Sequence, residues 1–363
     1  MKIQAAVSRS KLAPPMIEDV DLDEPRANEA RVRIVATGIC HTDLSCHEGN
    51  GVPVPLPIVL GHEGAGVVES VGAGVRGLKA GDHVVLSGAS CGLCPSCRAA
   101  RPTYCRDAMK LSFGGMRADG SSPLSQEGVR IAGAFFGQSS FATHVNVPES
   151  TAVKVPADVP LELLGPLGCG IITGAGAMLE AFRIAPGHSV VIFGVGSVGL
   201  AAVMAARIAG AASIVAVDVS PQRLELAKTL GATDTVRSAD DTATALREIQ
   251  PYGFTYSFNT THAPAVYTLA TACLANEGTA GIVTRPQGEW TLNVAQLLAG
   301  GRKLQGILGG SANPQLFLPL LIEYWRRGRF PFDRLITEFG FAQLGEAWQA
   351  AKAGEVIKPV MRM

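Results

Sequence analysis

The sequence has no excess of charge of either sign: 31 Lys and Arg stand against 31 Asp and Glu. A nucleic-acid partner or an anionic membrane calls for a basic face, so neither is expected. The start, MKIQAAVSRSKLAPPM, lacks the apolar run of a signal peptide, so none is expected. A membrane span is lacking too. The uncharged stretch VVIFGVGSVGLAAVMAA, residues 190–206, carries three spaced glycines and is followed by Arg207 and a second apolar run. It reads as a buried strand, turn and helix. The compartment implied is the cytoplasm, which is reducing. Apolar material is ample: 47% of the 363 residues are hydrophobic and the mean hydropathy is +0.24. That length exceeds one ordinary core, so about two domains are expected.

Eight cysteines are present, and four fall in CGLCPSCRAARPTYC, residues 91–105. In a reducing compartment bunched cysteines point to thiolate metal ligands rather than disulfides. Short C-x2-C steps let one loop wrap a single tetrahedral zinc. Cys91, Cys94, Cys97 and Cys105 complete a four-thiolate shell with no open position, so the site is expected to be structural. It would order a surface lobe rich in Gly, Ser and Arg. A loop of unligated thiols is the plain alternative. A nucleic-acid-binding zinc ribbon is disfavoured by the neutral charge and by all four ligands lying in one loop.

Two of the other cysteines sit in suggestive company. RVRIVATGICHTD reads as an alternating strand over 31–36 leading to a loop that presents Cys40. LPIVLGHEGAGVVESVG reads as strand, loop, strand with His62 and Glu63 at the turn, and GPLGCGIITG places Cys169 between glycines. One His and two Cys from separate loops suit a second zinc with an open fourth position, as catalysis requires. Spacing alone does not bring the three loops together, and a lone buried Cys commonly packs as a small hydrophobe.

A third signal is nucleotide binding. In HSVVIFGVGSVGLAAVMAARIAGAASIVAVDVS, Gly194, Gly196 and Gly199 form G-x-G-x-x-G with Ser197 and Val198 between them. The motif follows the apolar strand SVVIF and opens an Ala-rich helix. A second strand, SIVAVD, ends at Asp218, nineteen residues past Gly199. Such glycines permit a tight turn, close pyrophosphate approach and close helix–strand packing, and the acid takes ribose hydroxyls.

Together GICHTD, GHEGAG, the cysteine lobe, GPLGCGIITG, the glycine motif and the ending GEVIKPVMRM resemble the zinc-dependent medium-chain alcohol dehydrogenases over essentially the full length. SFGGMRADGSSPL and FFGQSSFATH are most similar to the aryl- and benzyl-type members. The resemblance implies an α/β protein. A GroES-like, mostly-β catalytic domain spans 1–170 and 309–363. A doubly wound Rossmann domain that binds NAD is inserted as 171–308, with the active site in the cleft between the two. It implies two zinc ions per chain.

In that resemblance Cys40, His62 and Cys169 hold the catalytic zinc, and Glu63 is a nearby carboxylate that approaches the metal during ligand exchange. Asp43 hydrogen-bonds His62 and fixes its tautomer. Thr42 is the hydroxyl that meets the alcohol and begins proton removal. His41 and Lys358 reach the cofactor pyrophosphate, Thr173, Ile282 and Val283 line the nicotinamide end, and Arg223 contacts the adenosine ribose. For His41, Arg223 and Lys358 the alternative is an ordinary solvated base, and for Ile282 and Val283 plain core. Some relatives carry a histidine three residues past the Thr; here that position is Ser45. The proton therefore leaves through the cofactor ribose and water, or through His47.

The implied reaction is reversible oxidation of a primary alcohol to its aldehyde, with aryl, benzylic or allylic and terpenoid alcohols as substrates. Other alcohols, aliphatic or thiol-adduct, are the alternative. Ser87 and Gly88 stand where aromatic rings narrow the pocket in relatives, which implies a wider pocket, with Phe113, Phe135 and Phe136 as candidate walls or plain core. The segment from Leu111 to Phe136 resembles that of dimeric members, so a homodimer is expected. A zinc-free quinone reductase-like enzyme or a non-enzymatic use of the fold would not need all seven zinc ligands.

Overall fold

The computed structural model describes residues 1–11 and 13–363. The chain divides by packing into two units. The first comprises Met1–Cys169, Asn313–Leu320 and Asp333–Met363, and the second Gly170–Ala312 and Leu321–Phe332. The segment Leu321–Phe332 therefore packs with the second unit, although the sequence reading assigned all of 309–363 to the first. Its apolar side chains explain the difference: Leu321, Ile322, Phe330 and Phe332 are fully buried, and Arg329 Nη2 donates to the Ile208 carbonyl at 3.5 Å.

The first unit is built mostly on antiparallel strands, with Ile336–Gly340 and Lys358–Arg362 paired in parallel. Glu29–Gly38 is the central ribbon, pairing with Gly64–Val71, with His144–Pro148 and with Lys358–Arg362. Its pairing with Gly64–Val71 shifts register between Ile34 and Ala36. These pairings bring the ends of three distant segments side by side: the loop after Gly38, the turn before Gly64 and the start of Lys358–Arg362. A five-stranded sheet completes the unit, in the order 58–59, 2–8, 16–22, 124–126, 129–131. The core between them takes Ile34, Leu60, Phe135, Phe141 and Trp348.

The second unit holds six strands, all paired in parallel, in the order 234–237, 213–218, 189–193, 254–259, 274–282, 303–306. This is the doubly wound dinucleotide-binding order. Ser189–Phe193 and Ser213–Asp218 are buried at every position. Covered on both faces, such strands read as continuous apolar runs rather than alternating ones. The stretch 190–206 is a buried strand, a loop and the helix Ser197–Ile208. Among the described residues no single helix is long and apolar enough to cross a membrane.

Helix Ser197–Ile208 lies close on helix Gly170–Gly176. A Cβ at Gly174 would sit 1.9 Å from the Val198 carbonyl oxygen, a contact only backbone movement can relieve. Gly174→Ala is expected to cost about 1–3 kcal/mol, as overpacking does. Urea denaturation measures it, and an unchanged midpoint would show that the two helices separate freely.

Candidate active site

Strand Glu29–Gly38 runs into helix His41–Glu48, whose N-cap is Cys40 with extended dihedrals, φ −113° and ψ 154°. The helix begins there because Asp43 turns back: its Oδ2 accepts the Cys40 N–H at 2.9 Å. The other oxygen accepts the Gly61 N–H at 3.0 Å and lies 3.0 Å from His62 Nδ1. Asp43 is wholly buried, so this carboxylate joins the Cys40 loop to the His62 turn by bonds that no water competes for.

That contact decides the histidine tautomer. With Nδ1–H donating to Asp43, the neutral ring carries its lone pair on Nε2. Nε2 is buried and has no hydrogen-bond partner among the described residues. Facing it are the two thiols: ligand atoms of Cys40, His62, Glu63 and Cys169 all lie within 4.8 Å of one another. A hydrogen bond with Cys169 is the first cause that pulls the Cys40 thiol well below its ordinary value, against burial. The same contact and burial push Cys169 well above it. Two thiols sharing one site cannot both ionise unaided. A divalent cation takes both as thiolates and also accepts the stranded imidazole nitrogen. The donor set therefore fits zinc.

Glu63 and Lys358 close the far side. Lys358 Nζ donates to both Glu63 oxygens at 2.9 Å and to the Ile39 carbonyl at 3.2 Å. The lysine is 2% exposed, so it is no solvated base, and its ammonium is committed to Glu63 rather than presented for a pyrophosphate. Burial pushes the Glu63 carboxyl up to about 7 against the pull of Lys358. Burial also opposes the Lys358 charge, but Glu63 more than offsets it and the pKa is raised.

Thr42 is half-buried, with Oγ1 3.8 Å from Cys40 Sγ. Ser45 Oγ donates to the Thr42 carbonyl at 3.2 Å, so it is occupied by its own helix. His47 faces inward, 4% exposed: Nδ1 lies 2.7 Å from Ser8 Oγ and the ring stands edge-on to Trp348 at 5.2 Å. Burial lowers its pKa. Five positions along a helix turn a side chain well away from Thr42, so His47 offers no path for a proton from that hydroxyl to solvent. His41 is exposed at the helix start.

A wall of rings stands beside His62. Phe136 stacks on its imidazole at 4.5 Å and 25°, and Phe135 meets it edge-on at 5.6 Å. Phe113 is edge-on to Phe135 at 6.0 Å and to Phe136 at 5.1 Å. Ser87 is buried and donates to the Gly168 carbonyl at 3.1 Å, while a Cβ on Gly88 would lie 3.7 Å from the Phe136 ring. The room left by these two small residues thus borders an aromatic ring. Gln138 went unnoticed in the sequence. It is wholly buried, donates to the His62 and Ser87 carbonyls at 3.0 and 3.2 Å, and accepts the Gly64 N–H at 3.1 Å. Its only sequence signal is an amide in a short polar step between phenylalanines, FFGQSSF.

The cysteine lobe forms a second cluster. The ligand atoms of Cys91, Cys94, Cys97 and Cys105 also lie within 4.8 Å of one another. All four are free thiols. A tetrahedron with ~2.3 Å metal–sulfur legs has edges of about 3.8 Å. The Cys94–Cys97 and Cys91–Cys97 sulfurs are 3.5 and 4.0 Å apart. Backbone N–H groups of Cys91, Cys94, Arg106 and Asp107 point at these sulfurs from 3.3–3.5 Å. The Arg106 N–H is the first cause pulling Cys94 down to about 6, while burial pushes Cys97 up to about 12. This shell too fits one zinc.

In the second unit Gly194 has φ +81°, and a Cβ at Gly199 would lie 2.0 Å from the Gly194 carbonyl. Nothing lies within 4 Å of the Cβ position at Gly196, the N-cap of helix Ser197–Ile208, so the loop is open there with Ser197 and Val198 following. Asp218 ends its strand with Oδ2 accepting the Val195 N–H at 2.8 Å and Oδ1 accepting the Ser220 N–H at 2.9 Å. It holds the glycine loop, and each oxygen keeps a further lone pair for a ribose hydroxyl. These residues fit a dinucleotide. Arg223 is half-buried on the helix that follows, Pro221–Leu230. Ile282 ends strand Leu274–Ile282 beside Asn259, Val283 follows it, and both are half-buried rather than plain core. Thr173 is half-buried in helix Gly170–Gly176. Thr260 was not foreseen: its hydroxyl lies 2.8 and 3.0 Å from the Gly194 and Phe193 carbonyls and fastens the loop.

Residues 26–157 match the alcohol dehydrogenase GroES-like domain, and residues 197–323 the zinc-binding dehydrogenase family. A geraniol dehydrogenase of Castellaniella defragrans is 46% identical over 363 residues, covering 99% of this chain and 97% of that protein. An alcohol dehydrogenase zinc-binding domain protein from Burkholderia ambifaria superposes with TM-score 0.97 at 46% identity, covering 100% of this chain and 99% of that one. The benzyl alcohol dehydrogenase of Acinetobacter calcoaceticus superposes with TM-score 0.96 at 40% identity, covering 100% and 99%.

Removing one partner of a buried ion pair leaves the other charge stranded and costs about 3–5 kcal/mol. Lys358→Met is expected to lose that much in urea denaturation, and Lys358→Met with Glu63→Gln to regain most of it. A wild-type midpoint for the single variant would show that no charge pair is held there.

Proposed function

This chain belongs to the zinc-binding alcohol dehydrogenase family, oxidoreductases that act on the CH–OH group, and we propose that it is an NAD-dependent member that reversibly oxidises primary aryl, benzylic or allylic terpenoid alcohols to aldehydes. The observation that carries the reading is the stranded His62 Nε2, aimed at two thiols and held in that tautomer by a buried carboxylate. Cys40, His62 and Cys169 would hold one zinc, and Cys91, Cys94, Cys97 and Cys105 the other. When bound, the first zinc would supply Lewis acidity toward the alcohol oxygen, and the nicotinamide a hydride acceptor.

The chain's own residues do the rest. Asp43 keeps His62 Nδ1 protonated and its Nε2 free. Thr42 Oγ1 accepts the alcohol's hydroxyl proton as it gives up its own toward the cofactor ribose and water, since Ser45 and His47 are both engaged elsewhere. Phe136 and Phe113 give a planar, conjugated substrate an apolar wall and keep water from the reacting atoms. The resemblance to a geraniol dehydrogenase and a benzyl alcohol dehydrogenase supports this substrate class. Asp218 receives both ribose hydroxyls, Arg223 lies beside the adenosine ribose, Thr173, Ile282 and Val283 line the nicotinamide, and His41 reaches the pyrophosphate. The edge strand Lys303–Gly306 and the exposed Val294, Leu298 and Leu308 support a homodimer, which light scattering tests. The enzyme is read as cytoplasmic, where its six ligand thiols stay reduced and free to hold metal.

Cys40→Ala is expected to stay folded, bind NADH and lose one of two zinc ions, with turnover of benzyl alcohol or geraniol down by more than about tenfold, ~1.4 kcal/mol of barrier. Metal analysis with steady-state kinetics checks this, and retention of a tenth of the activity would sink the reading. Cys97→Ser is expected to lose the other zinc and to melt at a lower temperature, since a structural zinc supplies folding free energy directly. Two zinc ions and an unchanged melting temperature would contradict the assignment.

At ~4 Å and an effective dielectric of ~20, Asp218 facing a ribose phosphate costs about 4 kcal/mol, with Arg223 offsetting part. NAD is therefore expected to be preferred over NADP by about a hundredfold in kcat/KM, and Asp218→Gly to erase most of the preference. Equal use of both by the wild type would place Asp218 away from the ribose.

A further inference from the structure

Arg117 has no part in the chemistry above, yet its guanidinium makes four hydrogen bonds to two carboxylates. Nε and Nη2 donate to Glu29 at 2.6 and 2.9 Å, and Nη1 and Nη2 donate to Asp23 at 2.7 and 2.9 Å. The side chains of Arg117 and Glu29 are each only 8% exposed. Both acids are themselves anchored: Glu29 accepts the Arg26 N–H at 2.9 Å, and Asp23 accepts from Asn146 Nδ2 at 3.0 Å. Burying such a cluster gains little stability over an apolar one. What two bidentate forks on fixed carboxylates do supply is orientation.

The segment so oriented leads to the ring wall. Phe113 ends helix Ala108–Phe113, and Gly114, Gly115 and Met116 separate it from Arg117. Gly115 has φ +64°, and its carbonyl accepts the Ala134 N–H at 3.0 Å, one residue before Phe135. Residues 113–117 are thus laid along 134–136. Their upstream anchor is the cysteine lobe, where the Asp107 N–H donates to Cys105 Sγ at 3.4 Å. Two glycines between Phe113 and the next side chain leave the backbone free to swing unless its far end is pinned.

We propose that Arg117 is a positioning residue for substrate selectivity: its cluster with Glu29 and Asp23 holds Phe113 edge-on to Phe135 and Phe136, and so sets the wall that a planar alcohol meets. This rests on the reading above, in which those rings line the alcohol pocket.

The test compares wild type, Arg117→Ala, Arg117→Lys, Phe113→Ala and the Arg117→Ala/Phe113→Ala double variant, all zinc-loaded. The readouts are KM and kcat for geraniol and 1-propanol, with zinc content and melting temperature. For Arg117→Ala the KM for geraniol is expected to rise about tenfold, with kcat within about twofold and the geraniol-to-1-propanol selectivity falling by ~1.4 kcal/mol. Arg117→Lys is expected to recover part of this, and the double variant to be no worse than Phe113→Ala alone. A loss in kcat at unchanged KM, an equal fall for both alcohols, or multiplying effects in the double variant would overturn the proposal. Should Arg117→Ala not fold, Arg117→Lys, which keeps the charge without the fork, carries the same KM test. If Phe113→Ala leaves the geraniol KM unchanged, the pocket reading itself fails. If it raises that KM and the Arg117 variants do not, only the positioning role fails.

Discussion

The first unit's chemistry hangs on one buried carboxylate. Asp43 accepts from the Cys40 backbone, the Gly61 backbone and the His62 ring, and is itself wholly buried. In doing so it starts a helix, joins two loops and chooses a tautomer. Each of those tasks alone is a common use of an aspartate. Performed by one side chain they are coupled: a shift that loosened the helix start would also turn the imidazole. A carboxylate that accepts three N–H groups needs no further countercharge.

What fits the cluster to a metal ion rather than to a packed core is the chemistry of its donors. Two cysteines in plain core would be neutral and indifferent to each other. Here their tendencies to ionise are driven apart, an imidazole nitrogen is left without a donor, and a second carboxylate is answered by a buried lysine. The Glu63–Lys358 pair also joins the C-terminal strand to the His62 turn, so the chain's last strand helps to frame a site assembled mostly from its first half. The cysteine lobe reaches a similar donor arrangement by other means. Its ligands are local, and backbone N–H groups rather than side chains orient its sulfurs. One site is defined by tertiary pairing and the other by a single loop.

The dinucleotide unit follows a third logic, in which backbone approach matters most. Gly174 and Gly199 are where an added methyl would strike a carbonyl oxygen. Asp218 and Thr260 fasten the glycine loop from either side, through the Val195 N–H and the Gly194 carbonyl. The acid at the strand end is thus occupied before any cofactor arrives, and its free lone pairs are already aimed by those bonds.

Local patterns in the sequence by themselves determined much of this protein. Strand, glycine loop, helix and acid fall within one short stretch, and four cysteines within one loop, because turn geometry and loop closure act over a few residues. The strands SVVIF and SIVAVD were legible for the same reason. Tertiary structure alone decided the rest. Cys40, His62 and Cys169 have no spacing relation: Cys40 and His62 meet because Glu29–Gly38 pairs with Gly64–Val71, Cys169 follows a turn whose Gly168 carbonyl accepts from Ser87, and such contacts between distant segments leave no local signature. The pairing of Glu29–Gly38 with Lys358–Arg362 buried Lys358, which a sequence reading sets beside a pyrophosphate, and the turn of one short helix sent His47 inward, away from the proton path it was a candidate for. Gln138, Thr260 and the Arg117 cluster were invisible for a related reason. A polar side chain acquires a role only from the backbone groups and charges that folding places around it, and those come from every part of the chain.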